Sequence, residues 1–325
     1  MIERIKTALS IILILLLFPY VTVMLFGRAA SLEIPTAHVP GLGTERGIEQ
    51  ETDQKELKAL EQWVLEILPG QMPVTYELEA LKAQAIIVRS NLVFYINKEE
   101  IQPEQLTEAW LREWGMKCYT LMELQEIWDK ELFEGYYEKI HRAVEETCGK
   151  VLVYQGNYVD IPYHAVSAGQ TRDGVLLGEG YSYLKAVECP GDLEAKNFLT
   201  VDELREEEML QSDAALFSDR EVSTEEKTST ESLLEIVSQD ASGYVTKIRV
   251  GEKILAGEEF RHMFDLPSSC FTLQVQNDGY VITTKGLGHG FGLSMYQAQL
   301  KAAQGKNSFE ILQYFYEELE CISLP

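Results

Sequence analysis

Between Leu78 and Tyr95 the chain repeats apolar residues at alternating steps of three and four: Leu78, Leu81, Ala85, Val88, Leu92 and Tyr95. A segment with that period is an amphipathic helix, and one side of it must be buried by the rest of the molecule. Its start is marked by Pro73, by Thr75 as a capping hydroxyl, and by Glu77 and Glu79, whose charges complement the helix dipole. Upstream, Leu57, Leu60, Trp63, Val64 and Ile67 also fall at helical spacing, and Pro69-Gly70 is expected to stop that helix. The Gly70-to-Val74 segment is then a short loop between two helices.

The period changes along the chain. Thr107 to Gly149 reads as two or three more helices, with Trp110, Leu111, Trp114, Leu121, Leu124, Ile127 and Trp128 supplying their apolar faces. From Lys150 the alternation is two, giving a hairpin of Lys150–Tyr154 and Tyr158–Ile161 about a Gln155-Gly156-Asn157 turn. Tyr244–Val250 alternates as a strand, and Ser268–Val275 and Tyr280–Thr283 flank an Asn277-Asp278-Gly279 turn as a second hairpin. The stretch from Asp202 to Asp240 is rich in Glu, Asp, Ser and Thr and reads as a mobile acidic insertion. Segregated helices and hairpins define an α+β fold, a single mixed helix and antiparallel-strand domain over 54–325 with a surface cleft.

Near the C-terminus Gly286, Gly288, Gly290 and Gly292 alternate with Leu287, His289 and Phe291, so the backbone there is free to take positive φ or to approach another chain closely. Ser294, with Gln297 three residues on, opens a helix that Gly305 closes. No G-x-G-x-x-G follows a strand, and H-E-x-x-H, G-x-S-x-G and C-x-x-C are absent, which removes support for dinucleotide, metalloprotease, α/β-hydrolase and redox readings.

Two blocks carry a resemblance. Glu79-Ala-Leu-Lys-Ala-Gln-Ala85 with Arg89-Ser90, and Gly286-Leu-Gly288-His289-Gly290-Phe-Gly292-Leu293-Ser294 with the helix after it, resemble the stage II sporulation protein D / LytB family in order and separation. The resemblance runs from about Leu57 to the C-terminus, and Tyr163 to Thr171 and Tyr183 to Val187 resemble its Y-x-S-x-S-G-G-x-T loop and Y-L-x-x-V strand.

It implies a lytic transglycosylase that cuts peptide-free peptidoglycan glycan strands with one carboxyl group and no cofactor. That group protonates the glycosidic oxygen and then helps the muramic acid 6-hydroxyl close onto the anomeric carbon. The family's G-E-M-P acid position is Gln71 here, and a carboxamide cannot titrate in the useful range. Candidate catalytic positions are therefore Gln71, Glu77, Glu79 and His289, and candidate substrate contacts are Arg89, Ser167, Gly169, Gln170, Thr171, Gly288, Gly290 and Ser294. Glu79 also reads as a helix-start residue paired with Lys82, and His289 as a structural hydrogen bonder. The alternative function is a catalytically silent glycan-binding protein or activator of a partner amidase. Some family members carry zinc, but Cys118, His141 and Cys148 have no zinc-ligand spacing, so no metal is expected.

The N-terminus adds a location. Thr7 to Gly27 carries no charge, long enough to cross a bilayer, and Arg4 and Lys6 outweigh Arg28. The expected arrangement is a cytoplasmic stub (1–6), a single-pass anchor in the cytoplasmic membrane (7–27), a linker (28–53) and an extracytoplasmic bulk, with a cleaved signal peptide as the alternative. A net charge of -24 disfavours nucleic acid and anionic headgroups as partners. Five scattered cysteines make no disulfide framework.

Overall fold

The computed structural model describes residues 48–205, 233–276 and 279–324. The readings for the N-terminal stub, the anchor, most of the linker, the middle of the acidic stretch and the Asn277-Asp278 turn lie outside them. Among the described residues no helix is long and apolar enough to cross a membrane.

Eight α-helices are described, α1 (Ile48–Gln71), α2 (Leu78–Lys98), α3 (Glu108–Glu113), α4 (Leu121–Ile127), α5 (Phe133–Glu145), α6 (Gly257–Met263), α7 (Met295–Ala303) and α8 (Ser308–Phe315). The strands are β1 (Lys150–Tyr154), β2 (Asn157–Tyr158), β3 (Tyr163–His164), β4 (Leu199–Arg205), β5 (Leu234–Gln239), β6 (Val245–Val250), β7 (Lys253–Ala256), β8 (Phe271–Gln276), β9 (Gly279–Lys285), β10 (Leu293–Ser294) and β11 (Glu320–Ser323). They form three antiparallel sheets, β11-β1-β2, β4-β9-β8 and β5-β6-β7, and one short parallel pair, β10-β3. The result is the expected α+β mixture.

The helix α2 is more enclosed than its period suggests. From Ala80 to Phe94 every residue except the half-buried Lys82 is buried, packed by α1, α5, β1, α7 and α8. Leu81, Ile86 and Leu92 are wholly enclosed, each contributing about 1.5–3 kcal/mol relative to exposure. Polar residues on α2 are consumed by docking. Ser90 Oγ accepts from the Leu152 amide at 2.8 Å, and Asn91 makes paired bonds to the Ile161 amide and carbonyl at 2.7 and 2.9 Å, acting as a strand neighbour for it.

Four local readings are corrected. Helix α1 continues through Pro69-Gly70 to Gln71, because a proline in the last turn forfeits one hydrogen bond that tertiary packing replaces. Thr75 does not cap α2. Glu77 holds the N-cap position without a side-chain cap bond, and its amide donates instead to Gln299 Oε1 at 2.5 Å. Tyr183–Val187 is not a strand, since its amides and carbonyls bond to the Thr171 and Gly174 segment rather than to a sheet. The flanks of the acidic stretch, Leu199–Arg205 and Leu234–Gln239, are paired strands, because β9 and β6 offer each a ladder partner.

Two apolar cores result. One surrounds α2 and takes in α1, α5, β1, α7 and α8, and the other lies between the β5-β6-β7 and β4-β9-β8 sheets and α6. The chain between Tyr163 and Arg172 and between Gly286 and Ser294 runs where these cores meet.

Candidate functional site

Those two segments are stitched to each other. Val166 and Leu287 exchange both backbone hydrogen bonds, at 3.0 and 2.7 Å, the Arg172 amide donates to the Gly290 carbonyl at 2.8 Å, and β3 pairs with β10. The glycine alternation is what permits this approach. Gly288 and Gly290 hold φ of 111° and 82°; a methyl group on Gly288 would meet the His164 Cβ at 2.8 Å, and one on Gly290 would run closer still into the Tyr244 ring.

Below the seam lies Asp192, wholly buried and marked by no motif. Its carboxylate accepts from the Ser167 amide at 2.7 Å and from the Ser294 hydroxyl at 2.9 Å, binding one segment to the other. Burial pushes the carboxyl above its ordinary value, although the bonds from Ser167 and Ser294 oppose the rise.

Two histidines grip Phe291 from opposite sides. His289 Nδ1 accepts from the Phe291 amide at 3.1 Å, and His164 Nδ1 lies 3.0 Å from the Phe291 carbonyl, to which it donates. Their rings are 5.8 Å apart. Burial depresses His289 to about 4 and His164 to about 3, so both are neutral imidazoles at physiological pH. His164 Nε2 is buried without a hydrogen-bond partner.

Arg172 locks this corner. Its guanidinium lies 4.4 Å from the Phe291 ring centre and 4.8 Å from that of Tyr244, and reaches Asp240 at 2.7 Å, Glu258 at 3.0 Å and the His289 carbonyl at 3.1 Å.

The remote α1–α2 bend arrives through one tyrosine. Tyr163 donates its hydroxyl to Gln71 Oε1 at 2.5 Å, and the ring of the next residue, His164, faces that of His289. Gln71 Nε2 donates in turn to the Lys117 carbonyl at 3.2 Å. From α5, Lys139 donates to the Val74 carbonyl at 3.0 Å and also to that of Tyr76, which fixes the bend. Tyr163 thus joins the Gln71 bend to the loop it opens, and the β3–β10 pairing sets the end of the glycine loop beside the same tyrosine.

The carboxyl candidates differ in availability. Glu79 binds Lys82 at 2.6 Å and the Ser308 amide, at the start of α8, at 2.8 Å. Desolvation raises its pKa, but these hydrogen bonds outweigh it and hold the group below the usual carboxylate range. It is an ionised tie between α2 and α8. Glu77 is exposed at the bend.

Several expected substrate contacts are enclosed. Arg89 has no exposure and makes a bidentate pair with Glu61, both bonds 2.7 Å, plus a bond to the Lys150 carbonyl at 3.1 Å. It cannot touch a ligand at the surface, because its helix is central rather than lining the cleft. Ser167, Thr171 and Ser294 are likewise buried, at 0, 1 and 0 % exposure, and hold the backbone in shape. Gly169, Gln170 and Gly288 are half-buried, Gly290 is buried, and Gln170 is tied to Glu188 at 3.0 Å. Tyr163, His164, Arg172 and Asp192 were missed by residue reading. The first two open the Tyr163-to-Thr171 stretch and Arg172 follows it, so position was the available signal; Asp192 sits in a short 3-10 turn with none.

Comparison with known proteins agrees in outline. Residues 49–154 match the family described as SpoIID: Stage II sporulation protein. Along more of its length the chain is similar to stage II sporulation protein D of Bacillus subtilis (strain 168), 26% identical over 261 residues covering 79% of this chain and 73% of the relative. The corresponding protein of Bacillus amyloliquefaciens is 25% identical over 272 residues, covering 80% and 73%. An amidase enhancer of Bacillus subtilis is 23% identical over 297 residues, 77% of this chain and 39% of that one.

Proposed function

We propose that this chain, which carries the stage II sporulation protein domain, holds peptide-free peptidoglycan glycan strands on the outer face of the cytoplasmic membrane and does not cleave them. One observation carries the reading. The position of the family's proton donor is a carboxamide whose two polar atoms are both engaged, Oε1 by Tyr163 and Nε2 by the Lys117 carbonyl.

A lytic transglycosylase step requires a group that donates a proton to the glycosidic oxygen and then recovers one from the 6-hydroxyl. Gln71 has no such proton, Glu79 is held ionised by Lys82 and Ser308, and His289 is a neutral imidazole whose Nδ1 is occupied. What remains is a polar face of the half-buried Gln71, Tyr163 and His289, able to bond a hydroxyl-rich ligand. The likeness to a protein named amidase enhancer supports work alongside a cell-wall amidase. An amidase leaves strands stripped of peptide, which is the ligand proposed here.

The test is to incubate the full chain in detergent with peptide-free strands, scoring co-sedimentation and, by mass spectrometry, 1,6-anhydro ends. Binding without new anhydro ends is expected. Abundant anhydro ends from wild type would restore a cleaving role, with the exposed Glu77 as the next carboxyl to replace. Failure to co-sediment would remove the glycan reading altogether.

A further inference from the structure

A separate depression lies beside Ala168. Ala168, Gln239, Ser242, Thr272, Thr283 and Lys285 border a depression of about 190 Å³. Pockets for drug-sized molecules run to roughly 300–1,000 Å³, so this one has the scale of a single sugar ring. Thr272 and Thr283 face each other across the β8–β9 ladder, and Lys285 is next along the same face of β9. On the other side of β9, Val201 pairs with Thr283 and Leu199 with Lys285, and they are 64 and 57 % exposed.

Hydroxyls, an ammonium and an apolar border make a surface of mixed character. Neither threonine hydroxyl has a hydrogen-bond partner among the described residues, and Lys285 has no carboxylate partner among them. Lys285 is exposed, so its ammonium is open to a ligand from solvent. Its charge is felt by the neighbouring Cys270 thiol, which burial raises to about 11 and which Lys285 pulls down. The depression therefore offers a cation and free hydroxyls beside a loop that also walls the Gln71 surface.

We propose that this depression is a sugar subsite, with Lys285 selecting a ring that carries a free carboxylate, as a muramic acid residue does once its stem peptide has been removed. The proposal rests on the glycan reading above and names how peptide-free strands are distinguished. While the peptide is attached, the lactyl group is an amide with no charge for Lys285 to meet. Removal of the peptide creates the anion, and a charge-assisted hydrogen bond becomes available.

The experiment titrates the full chain in detergent with three saccharides of equal length, following affinity by calorimetry. They are a peptide-free muramic-acid oligomer, the same oligomer with its lactyl carboxylates converted to primary amides, and an N-acetylglucosamine oligomer. Wild type should favour the carboxylate form about fivefold or more, the ratio that roughly 1 kcal/mol gives. Lys285→Gln should abolish that preference, leaving affinity for the two neutral oligomers unchanged. Thr283→Val, which keeps a β-branched residue in the strand, should weaken all three. A preference that survives Lys285→Gln overturns the subsite and leaves the glycan reading standing. Absence of binding by any oligomer to wild type overturns the glycan reading itself.

Discussion

At the scale of single residues, Gln71 reproduces the bonding of a protonated acid. It accepts from Tyr163 with one atom and donates to the Lys117 carbonyl with the other. A carboxylate in the same place would set an anionic oxygen against a carbonyl oxygen, so a glutamate would keep its proton to preserve the contact. Gln71→Glu should therefore create a general acid, and since such groups contribute about 10²–10⁴-fold, new 1,6-anhydro ends should rise by at least about a hundredfold over wild type. No rise, measured by mass spectrometry of digested strands, would remove position 71 from the chemistry. The neighbouring histidines make stability depend on pH. The unfolded chain binds protons on His164 and His289 near the ordinary value of 6.5, whereas the folded chain resists until about 3 and about 4. The unfolded state thus holds more protons through that window, and stability falls as pH drops from 7 toward 4. Asp160 and Asp192, raised by burial, act in the opposite direction, so the variant comparison isolates the effect. His289→Gln should flatten the decline of thermal midpoint between pH 7 and 5; an unchanged slope would mean His289 titrates normally.

Among the elements, α2 shows what periodicity can and cannot tell. The steps of three and four from Leu78 to Tyr95 were legible, and so were the β1–β2 hairpin and the capped helix at Ser294. That α2 is enclosed on nearly every side was not. Its buried polar residues Arg89, Ser90 and Asn91 look like a solvated stripe in sequence and become docking groups only when distant partners arrive, whereas Gln84 is enclosed with neither side-chain polar atom hydrogen-bonded. Arg89 is the clearest instance. It resembles a ligand-binding arginine by position in a motif, yet it joins α2 to α1 through Glu61 and to β1 through the Lys150 carbonyl. Removing one partner of a buried pair leaves the other charge uncompensated, which costs about 3–5 kcal/mol. Arg89→Met should lower unfolding free energy by about that amount in urea titrations, while Glu77→Gln, on an exposed carboxyl, should change it by less than about 0.5 kcal/mol. Comparable losses in the two variants would contradict the buttress role.

For the whole molecule, the long-range pairing was legible only through the resemblance, because no local rule joins Tyr163 to Gln71 or Val166 to Leu287 across such sequence separation. Those segments run between two separate apolar cores. Arg172 is the group best placed to couple them. Its own segment belongs beside β3, whereas Asp240, Tyr244 and Glu258 belong to the β5-β6-β7 side, and Phe291 closes the sandwich. Asp240 is nearly enclosed, at 4 % side-chain exposure, and it also accepts from the Ser242 and Tyr244 amides, so losing the guanidinium strands a charge that organises the β5–β6 turn. Arg172→Met should consequently loosen the second core ahead of the first. In native-state hydrogen exchange the amides of β5, β6 and β9 should open at a free energy lower by about 2–4 kcal/mol, with those of α2 changing less. Equal loss of protection in both cores would show a single cooperative unit in which Arg172 has no special place.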